Sequence, residues 1–137
     1  MLLNTTLATI GGYEAAVAIS DPTLFVLAVT GPNGWTNFGD NLNHLVGFQN
    51  PLPSQQPGTV LATFQMLYSG TATVEISLGP STPPSIPGFM AIADGANPEV
   101  LVAVDCLTSD CVVATLNGDG VVSSEDHSWT GVKALFD

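Results

Sequence analysis

A chain of 137 residues with 12 acidic side chains and one Lys has the length of a single domain, here 1–137, and a net charge of −11. The electrostatic field of this negative charge repels the phosphate backbone of nucleic acids. The composition therefore excludes a nucleic-acid-binding protein. Apolar runs such as 24–29 are shorter than the ~20 residues of a membrane-spanning helix, so we expect no membrane insertion. Only 9% of the residues are charged.

Strand-like patterns recur along the chain between Gly, Pro, Asn and Asp, which favours an all-β fold. We expect about nine strands in an antiparallel β-sandwich of the jelly-roll or Ig-like kind. They are predicted near 1–8, 12–20, 23–29, 44–49, 58–69, 72–78, 88–93, 99–104 and 111–116. In the second strand Tyr13, Ala15 and Val17 should face a core. Glu14 belongs to the outward face.

Residues 1–8 lack the basic and apolar regions of a signal peptide, and they show the alternating polarity of a strand. We therefore expect that any signal peptide has been removed or was never part of this sequence. The first strand should begin close to the amino terminus of this sequence.

Two long irregular stretches interrupt the strands. The first, 31–43, mixes aromatic, amide and carboxylate groups that suit stacking on a sugar ring and hydrogen bonding to its hydroxyls. The candidate ligand-binding residues are Trp35, Asn37, Phe38 and Asp40. Alternatively, the Trp folds back over the sheet rim and the polar residues serve turns. The second stretch, 79–88, is rich in Pro and should run extended along a sheet edge or between sheets.

Cys106 and Cys111 are close in sequence. We expect a local disulfide that closes a hairpin-like loop, with two buried free thiols as the alternative. Structural zinc needs four ligands of the Cys or His type, and this chain has few. A disulfide implies an oxidising compartment outside the cytoplasm.

The segment 115–126 has the spacing of an EF-hand calcium loop. The candidate ligands at loop positions 3, 5, 9 and 12 are Asn117, Asp119, Ser123 and Asp126. Gly120 falls at the turn position. Thr115 replaces the usual first Asp, and Asp126 is shorter than the usual Glu, so the cage is weaker in charge. In the alternative, a turn and a capped helix use the same residues for backbone reasons alone.

One short α-helix is predicted at about 124–136. Ser123 can cap it, acidic residues follow at the positive end of its dipole, and Lys133 falls near the negative end. Its apolar residues recur at helical spacing, and the resulting stripe should dock on the sandwich. They are Trp129, Val132, Leu135 and Phe136.

The loop at 115–126 resembles the calcium loop of dockerin modules, but a second such loop is missing. The preceding strands are similar in length and pattern to cohesin and carbohydrate-binding-module jelly rolls. A closer likeness is to an uncharacterised sandwich module of large secreted proteins from uncultured bacteria. The matching segments are 10–14, 80–88, 117–120 and 129–136. The resemblance implies an extracellular or cell-surface location and no known catalysis.

Modules of this kind have another strand ahead of the Gly-Gly-Tyr segment, and little precedes it here. An edge left open in this way would accept a strand from another copy, which allows polymerisation by strand addition. In the alternative, residues 1–8 fill the edge themselves.

Catalytic motifs are missing from the sequence. His44 and His127 lie far apart, and neither a nucleophile elbow nor a phosphate-binding loop accompanies them. We therefore predict no enzyme, but an extracellular structural subunit that self-associates in a surface or fibre assembly. The alternative is an adhesion module that binds a carbohydrate or a protein.

Overall fold

Eleven strands in antiparallel sheets make up the residues described by this computed structural model, 1–32, 34–106 and 108–118. They are β1 (Leu2–Leu3), β2 (Thr9–Ile19), β3 (Phe25–Thr30), β4 (Trp35–Asn37), β5 (Asn43–Pro53), β6 (Thr59–Val60), β7 (Thr63–Leu67), β8 (Val74–Gly79), β9 (Met90–Asp94), β10 (Leu101–Val104) and β11 (Val112–Leu116). The all-β prediction is confirmed. The predicted helix at 124–136 lies outside the described residues.

Two strands were not predicted. β4 lies in the stretch assigned to an irregular loop, and the strand predicted at 58–69 divides into β6 and β7. The division falls at Leu61 and Ala62, which are both buried. The chain passes there from the β1–β6 pair to the β3–β7 pair. Within the described ranges, no helix has the length and apolar character needed to span a membrane.

β2 is the central strand of the largest sheet, which has seven strands. Along one side it pairs with β5, from Thr9 opposite Pro53 to Ala16 opposite Asn43. β4 pairs with the far side of β5. The remaining strands form two separate pairs, β1 with β6 and β3 with β7.

The other side of β2 carries two strands placed end to end. β9 lies opposite 10–14 and β8 lies opposite 16–19, so the chain continues from β8 into β9 in one direction after the segment 80–89. One position further out, β10 pairs with β9 and β11 pairs with β8. β8 and β9 therefore form an inner row beside β2, and β10 and β11 form an outer row. That row is interrupted by 105–111. Both rows therefore break at the same level, opposite the middle of β2.

The core lies on the face that carries alternate residues of β2 and β5. Burial in β5 has a period of two, with His44, Val46 and Phe48 pointing inward. Tyr13, Ala15 and Val17 are buried as predicted. The buried cluster also includes residues of the small β1–β6 region. Its members are Leu3, Ile10, Tyr13, Ala15, Val46, Phe48, Leu61, Met90 and Ile92.

Gly12 lies where the register between β2 and β5 shifts. A Cβ atom at this position would overlap the backbone carbonyl oxygen of Val46. Only glycine lets the two strands approach this closely. The approach keeps Tyr13 opposite Val46 at the centre of the core.

Candidate functional site

A buried carboxylate lies where the row formed by β8 and β9 is interrupted. Glu14 of β2 accepts two hydrogen bonds from Ser85, one from the backbone N–H at 2.6 Å and one from the hydroxyl at 2.7 Å. These charge-assisted bonds fasten the segment 80–89 to the central strand. We predicted Glu14 on the outward face. The carboxylate is nevertheless buried, because this Pro-rich segment approaches it.

A disulfide closes the interruption of the outer row. Cys106 and Cys111 are joined, with their Cα atoms 5.2 Å apart. The backbone N–H of Leu78 donates to the carbonyl oxygen of Cys111 at 3.1 Å, so the loop returns the chain to β8 where β11 begins. The carboxylate of Asp105 lies beside the two sulfurs. Because sulfurs in a disulfide are not thiolates, this group lacks the ligands of a metal site.

His44 is fully buried in an aromatic cluster. Its Nδ1 lies 2.8 Å from the Tyr13 hydroxyl, and its Nε2 lies 3.1 Å from the carbonyl oxygen of Asn41. A carbonyl oxygen only accepts, so Nε2 carries the proton and Nδ1 accepts from Tyr13. The indole Nε1 of Trp35 donates to the same hydroxyl at 3.4 Å, and the Phe64 ring stacks on the imidazole with centroids 5.3 Å apart.

Burial determines the charge state of this cluster. It lowers the pKa of His44 below the ordinary 6.5, and the hydrogen bond to Asn41 opposes the shift only in part. It also raises the pKa of Tyr13 to about 12. Both side chains are therefore neutral at pH 7, and both imidazole nitrogens are engaged. The arrangement satisfies buried polar groups and does not present a free base to a substrate.

The candidate sugar-binding residues are divided between the sheet and its rim. Trp35 belongs to β4 and is half-buried, and its indole nitrogen is directed at Tyr13. Phe38, just beyond the end of β4, is 77% exposed. Of the two aromatic rings proposed for stacking, only that of Phe38 is largely open to solvent.

The polar members of the same loop are engaged in its turns. The side-chain oxygen of Asn37 accepts from two backbone N–H groups at 3.0 Å each, and its amide nitrogen donates to the carbonyl oxygen of Asp40. The Asp40 carboxylate accepts from two backbone N–H groups at 2.7 Å, which holds its pKa below the usual range. These bonds fix the loop's shape.

The structure describes only the beginning of the predicted calcium loop. Thr115 lies in β11, and Asn117 follows it with a φ of 51°. The Asn117 amide nitrogen donates to the carbonyl oxygens of Gly70 and Ala72 at 3.2 and 3.3 Å, which fastens the end of β11 to the turn before β8. The other predicted ligands, Asp119, Ser123 and Asp126, lie outside the described residues.

An apolar groove of about 850 Å³ lies against the interruption of the two rows. Apolar side chains such as Met66, Leu78 and Met90 form most of its wall, and the carboxyl-bearing residues Glu14 and Asp105 also line it. Its volume is in the upper part of the 300–1,000 Å³ range of ligand pockets. The groove is large enough to accept several apolar side chains.

The outer row also forms one margin of the large sheet. Among the described residues, no strand pairs with the outer side of β10 or β11. Several apolar side chains on these strands are exposed. They are Leu101, Val102, Val113 and Leu116. We call this margin, residues 101–104 and 112–116, the open edge.

A comparison with known protein families, curated proteins and solved structures found no match for this chain. The function is therefore inferred from the side chains and edges themselves. A fold class alone does not define a function, so the open edge and the groove are the informative surfaces.

The burial of His44 is indicated by the local sequence pattern, whereas the burial of Glu14 is not. His44 is in phase with Val46 and Phe48, and this alternation indicates the core face. By contrast, the contact between Glu14 and Ser85 joins residues 71 positions apart. No local pattern connects those two residues.

Proposed function

We propose that this chain is a non-enzymatic structural module of an extracellular or cell-surface assembly, and that copies associate through the open edge. The observation that carries the proposal is that, among the described residues, this margin combines unpaired strand backbone with exposed apolar side chains. Edge strands in isolated domains are usually protected by Lys, Pro or a covering segment, because an exposed edge accepts another strand. Neither Lys nor Pro occurs in 101–104 or 112–116.

The backbone of β10 is oriented for strand addition. The N–H of Asp94 donates to the carbonyl oxygen of Val100, and antiparallel pairing alternates along the strands. It follows that the N–H and C=O groups of Leu101 and Ala103 point away from β9. A second chain that adds here would gain main-chain hydrogen bonds and would cover exposed apolar side chains.

The disulfide and the composition support the extracellular part of the proposal. A disulfide that spans a short loop persists in an oxidising compartment. Few charged side chains interrupt the surface, since they make up 9% of the residues. Copies can therefore approach closely without desolvating many ions.

We also infer that the small sheets close over the large one as the second layer of a sandwich. Leu3 and Leu61, from the β1–β6 region, belong to one buried cluster with Tyr13 of the large sheet. The ring of Phe64 in β7 stacks on His44 of β5. Such contacts between strands of different sheets are typical of face-to-face sheet packing.

The alternative, a module that binds a carbohydrate, has weaker support. The exposed ring of Phe38 favours it, but the amide of Asn37 and the carboxylate of Asp40 hydrogen-bond within their own loop. Sugar recognition would require these groups to exchange existing bonds for new ones.

Replacing Ala103 by Pro tests the proposed function. The substitution removes an N–H that points outward, so pairing with β9 is retained while strand addition loses a donor. We expect oxidised wild-type protein to form dimers or larger species in a concentration series measured by sedimentation and light scattering. Ala103→Pro should remain monomeric over the same range.

Ala103→Val is the matched control, because it retains the N–H and the preference for a strand. It should associate as the wild type does. If Ala103→Pro does not fold by circular dichroism, Leu101→Lys replaces it, since a charge on an edge also blocks pairing. A wild type that is monomeric at high concentration, or an Ala103→Pro that associates normally, would refute the proposal.

A further inference from the structure

We infer that the apolar groove is the seat of this chain's own carboxy-terminal segment, residues 119–137, whose apolar stripe docks in it. This inference goes beyond the proposed function. It concerns contacts of a sheet face within one chain, whereas assembly concerns the outward backbone groups of the sheet margin; the two surfaces share Val104 and 112–114. Either can fail without the other.

Apolar complementarity is the first support. The groove is lined by apolar side chains of β1, β2, β7, β8, β9 and β11. Covering this wall would remove apolar surface from water. The segment supplies a matching stripe, since its large apolar residues recur at helical spacing. They are Trp129, Val132, Leu135 and Phe136.

The tether is the second support. Val112, Val113 and Ala114 of β11 form part of the groove wall, and the described chain continues only to Gly118. An extended link of 119–123 spans roughly 17 Å. That length covers the roughly 14 Å that β11 spans from Val112 to Leu116. The link can therefore return the stripe to the groove from which β11 departs.

Charge is the third support. The exposed carboxyl-bearing residue Asp105 lines the groove. Lys133 is the only Lys or Arg of the sequence, and it lies inside the apolar stripe. Docking of the segment would bring this single cation towards the Asp105 carboxylate.

These arguments favour the chain's own segment over that of a second copy. A short tether holds the segment near the groove at an effective concentration in the millimolar range. A second copy at micromolar concentration lacks this advantage.

The experiment uses the full oxidised chain labelled with 5-fluorotryptophan. Its two fluorine resonances are assigned with Trp129→Phe, and the Trp35 signal reports that the sheet is folded. With a soluble gadolinium chelate as the probe, we expect the Trp129 resonance to be protected from broadening. The protection should be independent of protein concentration.

Leu2→Asp places a carboxylate in the groove wall, away from the open edge, at a side chain that is 70% exposed. An unpaired charge against the docked stripe should weaken docking by more than about tenfold. The Trp129 resonance should then broaden like free 5-fluorotryptophan while the Trp35 signal is unchanged. The matched control is Val60→Asp, at a residue that is 48% exposed and outside the groove, and it should keep the protection.

Lys133→Glu is a second variant that leaves the sheet untouched, and it should also reduce the protection. The inference is overturned if Trp129 is unprotected in the wild type, or if protection survives both Leu2→Asp and Lys133→Glu. It is also overturned if protection is lost on dilution, because the groove would then hold the segment of another copy.

Discussion

At the scale of single residues, the side chains around His44 form a linear series of hydrogen bonds. Each group in the series donates to the next. The indole of Trp35 donates to the Tyr13 hydroxyl, that hydroxyl donates to Nδ1 of His44, and Nε2 donates to the carbonyl oxygen of Asn41. Only neutral imidazole satisfies all of these partners. A proton added at Nδ1 would displace the hydroxyl proton of Tyr13 and bring a charge into the core.

The stability of the fold should therefore depend on the protonation of His44. Its folded-state pKa lies below 6.5, so the unfolded chain binds a proton at a higher pH than the folded chain does. The contribution of neutral His44 to the free energy of unfolding is fully present above pH 6.5. It is lost as the pH falls towards the folded-state pKa. We expect the free energy of unfolding in urea to decline below pH 6.5, with a limiting slope of about 1.4 kcal/mol per pH unit.

His44→Gln should flatten this decline between pH values of about 6.5 and 5, whatever its effect on stability at pH 7. His127→Gln, which removes the other histidine of the sequence, serves as the control and should retain it. The buried amino group of Met1 also has a lowered pKa, but it is common to both variants. An equal slope in wild type and His44→Gln would show that the cluster does not govern the acid response.

The sequence predicted the core positions of β2, because period-two burial is a local property. Tyr13 and Ala15 were placed correctly for this reason. The burial of Glu14 could not be predicted, since it depends on Ser85, which reaches it from a distant segment. A carboxylate in a strand usually marks the solvent face, and here tertiary structure reverses that expectation.

At the scale of elements, a different interaction bridges the interruption in each of the two strand rows. Both interruptions lie opposite the middle of β2. The inner row is held by the contact between Glu14 and Ser85, and the outer row by the disulfide between Cys106 and Cys111. Without the disulfide, β10 and β11 would be joined by an open loop. Each strand would then depend on its own short ladder to β9 or β8.

The disulfide should stabilise the fold by about 2 kcal/mol, because it closes a short loop in the unfolded chain. The double variant Cys106→Ser with Cys111→Ser should unfold at correspondingly lower urea concentration. Dithiothreitol should lower the stability of the wild type to that of the variant and leave the variant unchanged. If the reductant affects both proteins alike, the loss does not arise from this bond.

The strand pattern predicted the elements better than their connections. The predicted stretch at 58–69 is continuous in hydrophobicity, yet Leu61 and Ala62 are buried where the chain changes sheets. β4 was missed because its few residues lie among turn-forming Gly and Asn. Such short strands are defined by their partner, here β5, rather than by their own sequence.

At the scale of the whole molecule, two opposed properties meet at the open edge. The exposed apolar side chains of 101–104 and 112–116 favour association. The net charge of −11 opposes association, because every copy has 12 acidic side chains and only one Lys, and the copies therefore repel each other. The balance between these terms should be adjustable by ionic strength, since salt screens the repulsion and leaves apolar contacts and main-chain hydrogen bonds in place.

We therefore expect salt to promote the association that Ala103→Pro prevents. Raising sodium chloride from about 10 mM to about 150 mM shortens the screening length from about 30 Å to about 8 Å. Light scattering should then show an association constant that increases about tenfold or more for the wild type and for Ala103→Val. Ala103→Pro should remain monomeric at both salt concentrations. Association that weakens with added salt would instead indicate attraction between charged groups, and the open edge would not be the contact surface.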